Sequence, residues 1–308
     1  MSFNGMTFYE AAFNIWNKLI GIAMTLFTTS PTSASGGVYA LAKTCFDALK
    51  AISLPIAIVF FLLAIIKDVV GSPPEQQARK FLFDAIKFGV LVGIIANLWD
   101  IMGYVMQIAD GITSALSVSG SYEMHPSSDL TSAANAIWTK KATWIDTSGM
   151  NLFEKIPAWL DYIPTYLEDW FYVQLTKIFL LIGGIGTCIM VVAAGMSIIS
   201  SAFQRILKPL VILPFSTITI AMAAGSHEAE RISTSYLKSF FGLCLSGAFM
   251  VICVKLGAAI MNSGLIAFDI SSLDNMSKVI YLSIQSMITP MVISGLVKSA
   301  DSMLSKFF

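Results

Sequence analysis

The sequence predicts an all-α fold: a polytopic membrane helix bundle of about five transmembrane helices, with an N-terminal interfacial helix and a Pro-broken re-entrant or interfacial segment. Three observations carry this. The chain of 308 residues is 56% hydrophobic and 12% charged, with mean hydropathy +0.75, whereas charged residues make up about a quarter of a soluble domain. Several apolar runs reach the roughly 20 residues that a helix needs to cross hydrocarbon. The short connections between them sort by charge, as the loops of multi-pass proteins do.

The chain carries 19 basic and 19 acidic residues, so net charge argues neither for nor against a nucleic-acid surface. Cys188, Cys244 and Cys253 lie in apolar runs and Cys45 just before one. No disulfide framework or paired-cysteine metal site is written there, and these residues read as small buried hydrophobes. The N-terminus lacks the basic start and short apolar core of a cleavable signal peptide, so the first crossing is expected to serve as its own insertion signal.

Residues 7–29 predict a helix with polar or small positions at Glu10, Asn14, Asn17, Lys18, Gly21 and Thr25. Their spacing of three and four makes one wet stripe, which places the helix in the plane of the membrane interface. The stretch TTSPTSASGG (28–37) ends it, and residues 1–37 are taken as one unit. A second helix starts at Val38 and is wholly apolar from Ile52 to Ile66, with a kink expected at Pro55. Pro73 and Pro74 then suit the start of the next helix. The second crossing is expected over about Phe81 to Met106, with Asp84 paired to Lys87 on one face. Residues 38–106 thus hold the first two crossings.

Residues 107–170 differ in kind. Eight acidic side chains face three lysines, and Trp138, Trp144, Trp159 and Trp170 are four of the six tryptophans. Aromatic residues with scattered charge suit the membrane–water boundary, so this stretch reads as an external loop with amphipathic helices. An acidic loop is a poor grip for phosphates. Residues 171–308 then hold three crossings: about Gln174 to Ser200, rich in small residues that allow close helix packing; about Tyr236 to Met261, with Lys255 inside; and about Val279 to Val297, with Pro290.

Between the third and fourth crossings, Pro209 to Gly225 is shorter than a full span and holds Pro209 and Pro214. Arg205 and Lys208 precede it, and Arg231 and Lys238 follow it. If 209–225 dips in and returns, every short loop obeys the positive-inside rule: the 67–87 turn, Arg205, Lys208, Arg231, Lys238 and the C-terminal lysines fall inside, and Asp269 and Asp274 outside. If it spans, the rule fails three times. The re-entrant arrangement is therefore expected, with the N-terminus outside and the C-terminus cytoplasmic.

No phosphate-binding Gly-rich loop, nucleophile elbow or paired-histidine zinc motif is present, and HEAER at 227–231 has one histidine only. His227 and His125 read as loop histidines. No catalytic, cofactor or metal site is expected. Lys255, about mid-helix, should face protein or water, as a pore-lining or a paired group.

KPLVILPFSTITIAMAAG followed by AERISTSYLKSFFGLCLSGAF, together with the order of crossings and the long loop, resembles the TrbL-type polytopic membrane subunit of type IV secretion systems, in its Gram-positive conjugative-element version. The resemblance implies a non-catalytic channel or scaffold subunit of the cytoplasmic membrane, not an enzyme. It implies a homo-oligomer around the substrate path, energised by separate ATPases and surrounded by other membrane subunits, and a transferred DNA or protein–DNA substrate. Candidate substrate-path or partner contacts are Arg205, Lys208, Pro209, Pro214, Arg231, Tyr236, Lys238, Lys255, Trp138 and Trp144. The extended hydrophilic C-terminal tail of some relatives is not seen after Phe308, so no tail-mediated contact is expected. The alternative is a secondary transporter of a small solute, whose site would lie at broken helices near the midplane. Such proteins carry paired broken segments, and one is evident here.

Overall fold

The computed structural model describes residues 6–33, 37–70, 73–118, 120–139, 152–225, 227–263 and 273–307. Among these there are nine α-helices and no strand: α1 (Met6–Thr28), α2 (Val38–Ala64), α3 (Pro74–Ala96), α4 (Leu98–Val118), α5 (Ser128–Thr139), α6 (Leu152–Ile212), α7 (Ser216–Ala221), α8 (His227–Ser263) and α9 (Asn275–Phe307). Five segments are long and apolar enough to cross a membrane: Val38–Lys67, Leu98–Val118, Lys155–Ala224, Ala229–Asn262 and Asn275–Ala300. They fit a multi-pass membrane protein.

Helix ends follow local chemistry. At the end of α1, Thr28 and Thr29 turn their hydroxyls back onto the carbonyls of Met24 and Thr25, a local bond that competes with helix continuation. Gly37 adopts φ 79° before α2, a left-handed conformation that glycine reaches without a Cβ penalty. Pro74 opens α3, where a missing N–H costs nothing. Pro55 and Pro290 lie inside α2 and α9. A π-helical turn, Ile65–Val70, extends α2.

The second crossing expected over about Phe81 to Met106 is divided. Asn97, at φ −104° and ψ 13°, separates α3 from α4, and its side-chain amide donates to Gly93 O at 3.0 Å. Lys50 Nζ also reaches the α3 end, donating to Ala96 O at 2.7 Å. A cation at helix-terminal carbonyls is favourable. The stretch 107–170, read as an external loop with amphipathic helices, holds the end of α4 to Val118, α5 and the start of α6 from Leu152. Lys87 pairs with Glu230 at 2.9 Å rather than with Asp84, whose Oδ2 is buried without a hydrogen-bond partner.

The chain divides into two compact units, and α1, α6, α8 and α9 contribute residues to both. In the first unit (Met1–Gly21, Ser121–Ile198, Val254–Gly295) the core joins Tyr9, Leu130, Ala134, Ile137, Leu180 and Val279. Tyr9 Oη donates to Ser283 Oγ at 2.7 Å. A Cβ on Gly183 would stand 2.3 Å from that hydroxyl, so glycine is what lets the tyrosine in. Two asparagines hold the segment after α4: Asn17 exchanges bonds with both backbone groups of Met124, and Asn262 binds Glu123 O and His125 N.

The apolar side of α1, including Tyr9, Phe13, Trp16 and Ile20, is fully buried against protein, while Glu10, Asn14 and Lys18 stay exposed. The amphipathic pattern was legible in the sequence; its apolar face is covered by protein rather than left to lipid.

The second unit (Ile22–Gly120, Ile199–Cys253, Leu296–Phe308) has its core at Phe46, Leu91, Leu98, Met102, Ile220 and Phe240. Trp99 lies against both Tyr39 and Phe46, at 5.1 Å between ring centroids in each pair. α7 packs on α2 and α3, so the broken segment after α6 is covered by protein.

Candidate functional site

The end of α6 and the start of α8 run antiparallel within the second unit. Arg205 lies opposite Gly247, Ile212 opposite Tyr236, and Thr219 opposite Ser233. Pro209 sits inside α6, buried, and does not break it. The break comes at Leu213–Phe215, a single 3₁₀ turn around Pro214, because Pro214 has no N–H to offer the previous turn. Three hydroxyls bond carbonyls of this turn. Tyr236 Oη donates to Ile212 O at 2.8 Å, Ser216 Oγ to Leu213 O at 2.6 Å and Thr217 Oγ1 to Pro214 O at 3.0 Å. The chain then turns at Gly225.

Arg205 is one turn before Pro209 and is only 2% exposed. Its Nη2 donates to Asp110 Oδ1 at 2.6 Å. Its Nη1 donates to Phe27 O and, at 3.2 Å, to Thr29 O. The guanidinium therefore caps the end of α1, where helical carbonyls lack partners, and carries its counter-ion on α4. Gly247 makes room: a Cβ there would stand 2.1 Å from Arg205 Nε and 2.5 Å from Cζ. Arg205 Nε and Asp110 Oδ2 have no hydrogen-bond partner. An ion pair buried in this way holds α1, α4 and α6 to one register, because separating it leaves a charge uncompensated in a medium of low dielectric.

This geometry corrects two expectations. Arg205 is not a surface charge at the cytoplasmic edge, and Asp110 is not a residue of an external loop; they meet at one depth and cannot lie on opposite sides of a membrane. Nor do Arg205 and Arg231 share one edge, since Arg231 is exposed and lies two residues before Ser233, which donates to Thr219 O. The positive-inside count therefore loses Arg205.

The other candidates scatter. Lys208 is half-buried, Lys238 is exposed one α8 heptad beyond Arg231, and Tyr236 is the cap just described. Lys255 is half-buried in the first unit. Trp138 lies in α5, its side chain outside the described residues, and Trp144 lies outside them altogether, as do the side chain of His227 and Asp269. Beside α7, an apolar groove of about 410 Å³ is bounded by Phe83, Val90, Ile220 and Leu237 and crossed by the Lys87–Glu230 pair. Among the described residues no three His, Cys, Asp or Glu side chains gather as metal ligands.

The comparisons with known proteins identify no family. No family model, no curated protein and no solved structure matches this chain. The site therefore stands on its own geometry.

Asp110 and Gly247 were not singled out in the sequence. A usable signal existed for Asp110: an acidic residue inside an apolar helical run, IMGYVMQIADGITSAL, is costly in a membrane unless paired. Gly247 had none, because the need for a missing Cβ arises only when the arginine arrives.

Proposed function

We propose that this chain is a non-catalytic channel or scaffold subunit of the cytoplasmic membrane in a type IV secretion apparatus for conjugative DNA transfer. Other membrane subunits and separate ATPases would be its partners, and DNA or a protein–DNA complex its cargo. The observation that carries the reading is the length of α6. Its Leu152–Ile198 part, within the first unit, has a contour of about 70 Å at 1.5 Å per residue, more than twice the ~30 Å of hydrocarbon. A helix that continues this far past the bilayer suits a scaffold joining the membrane to neighbouring components. The Pro-interrupted stretch with Arg231, Tyr236 and Lys238, on which the family resemblance rests, adds to it.

In this reading the N-terminus is outside and the C-terminus cytoplasmic. The cytoplasmic edge carries Lys67, Arg79, Lys80, Arg231 and Lys238; the Lys87–Glu230 contact at 2.9 Å sets the start of α8 beside the C-terminal half of α3. The test is deletion of the coding sequence in a host carrying the conjugative element. Transfer is expected to fall to background with donor growth unchanged and to return on complementation; unchanged transfer overturns the proposal.

One observation favours the transporter reading instead. A buried arginine–aspartate pair among apolar helices is a feature that transporters use in their pathways. Saturable uptake of a small solute by the purified chain in liposomes would decide for it.

A further inference from the structure

In the second unit α3 lies antiparallel along α2. Lys50 Nζ meets Ala96 O, and Phe61 stacks on Phe88 with ring centroids 4.5 Å apart. α2 belongs to a segment apolar enough to cross a membrane, Val38–Lys67, so α3 shares its depth. The π-helical turn that carries Lys67 packs on α3 as well. Residues three and four apart on a helix share a face. Arg79, Lys80, Phe83, Ile86, Val90 and Ile94 therefore form one stripe of α3, cationic in its early turns and apolar beyond.

Two hollows open along this stripe and share Phe83 and Ile86. The first, of about 660 Å³, is bounded by Gln76, Arg79, Lys80 and Asp84. The second is the groove of about 410 Å³ whose far wall includes Ile220 of α7 and Leu237 of α8. Phe83, Ile86 and Val90 are 70%, 59% and 60% exposed, so protein leaves these apolar side chains open. From Phe83 to Ile94 the apolar stretch measures about 17 Å at 1.5 Å per residue, close to half of the ~30 Å of hydrocarbon. That is the depth of one leaflet. At its head Arg79 and Lys80 are exposed and outnumber Asp84, whose Oδ2 is buried. Lys87 has its counter-ion in Glu230.

We propose that this stripe binds one anionic phospholipid, with its phosphate on Arg79 and Lys80 and an acyl chain in the groove between α3, α7 and α8. A guanidinium meets a phosphodiester with paired N–H donors, and the ammonium beside it adds a point charge. Basic pockets between membrane helices hold anionic head groups in this way. A chain seated in the groove makes the dispersion contacts that its open side chains otherwise lack. Charge and length together select the occupant. A free anion would leave the groove empty, and a zwitterionic lipid would bring a cation of its own to the arginine and lysine. The inference needs the multi-pass placement and goes beyond the secretion reading, on which it does not depend.

The test uses the full chain, purified in non-ionic detergent and stripped of lipid. It is titrated with phosphatidylglycerol, with phosphatidylcholine of the same chains and with inorganic phosphate. Native mass spectrometry is expected to show one phosphatidylglycerol per chain, held at least about tenfold more tightly than phosphatidylcholine, as two cations facing an anionic head group imply. The thermal midpoint should rise with phosphatidylglycerol and not with inorganic phosphate. Arg79→Gln with Lys80→Gln should bring phosphatidylglycerol down to the affinity of phosphatidylcholine. Val90→Trp fills the groove, leaves both cations in place and should also weaken phosphatidylglycerol. Ile189→Trp, at a similarly exposed position of α6, should not. These four positions are all exposed, so the variants should keep the lipid-free midpoint of the wild type. Equal binding of the two lipids overturns the site. So does undiminished phosphatidylglycerol binding by the double variant or by Val90→Trp, or an equal rise in midpoint with inorganic phosphate.

Discussion

Arg205 and Asp110 are 95 positions apart in sequence and 2.6 Å apart in the fold. The contact converts two charges that sequence reasoning placed on opposite sides of a membrane into one buried tie.

Breaking that tie should cost about 3–5 kcal/mol, the range for stranding one member of a buried pair. Asp110→Asn and Arg205→Ala are each expected to lower the thermal midpoint in detergent, and Gly247→Ala to do the same by displacing the guanidinium. Arg205→Met with Asp110→Leu should recover most of the loss, because it strands no charge. A single variant as stable as wild type would show that the pair is not buried in the folded chain.

Tyr236→Phe removes the donor to Ile212 O. An orphaned carbonyl costs about 1–3 kcal/mol, and the loss should be local. Amide exchange over 213–225 is expected to accelerate by roughly one to two orders of magnitude with that over α4 unchanged. Uniform acceleration, or none, would contradict a local cap.

Asp274 precedes α9 and accepts a bond from Tyr172 Oη at 2.8 Å. Hydrogen bonds from Ser277, then Tyr172, hold its carboxyl below the usual carboxylate range. A depressed folded pKa means that the stabilisation is present above the unfolded value and is lost as pH falls through the folded one. The first unit should therefore keep this contact at neutral pH and loosen below about pH 4. Asp274→Asn is expected to flatten that acid limb in a tyrosine-fluorescence titration; an unchanged limb would exonerate Asp274.

Arg231→Glu with Lys238→Glu reverses two exposed charges on one face of α8. Insertion and folding should survive and conjugative transfer should fall at least about tenfold, as scored by transconjugant counts. Normal transfer at wild-type protein levels would remove these residues from the partner surface.

Much of the secondary structure was readable because its determinants are local. The stop at residues 28–37, the start at Pro74 and the break at Pro214 each come from a proline, a glycine or a hydroxyl acting within one helical turn. The amphipathic pattern of α1 came from side-chain spacing alone. The division at Asn97 was missed, because a single asparagine within an apolar run is a weak local signal that Lys50, from another helix, reinforces.

By itself the sequence determined the helical class, apolar segments able to cross a membrane, both ends of α1 and of α2 and the start of α3, since periodicity and turn chemistry act over a few residues. Only the tertiary structure decided what covers α1, which residue pairs with Lys87 and where Arg205 lies. Those outcomes depend on side chains that meet across tens of positions, and an arginine counted as a surface charge becomes an interior one when a distant aspartate, two free carbonyls and a missing Cβ converge on it.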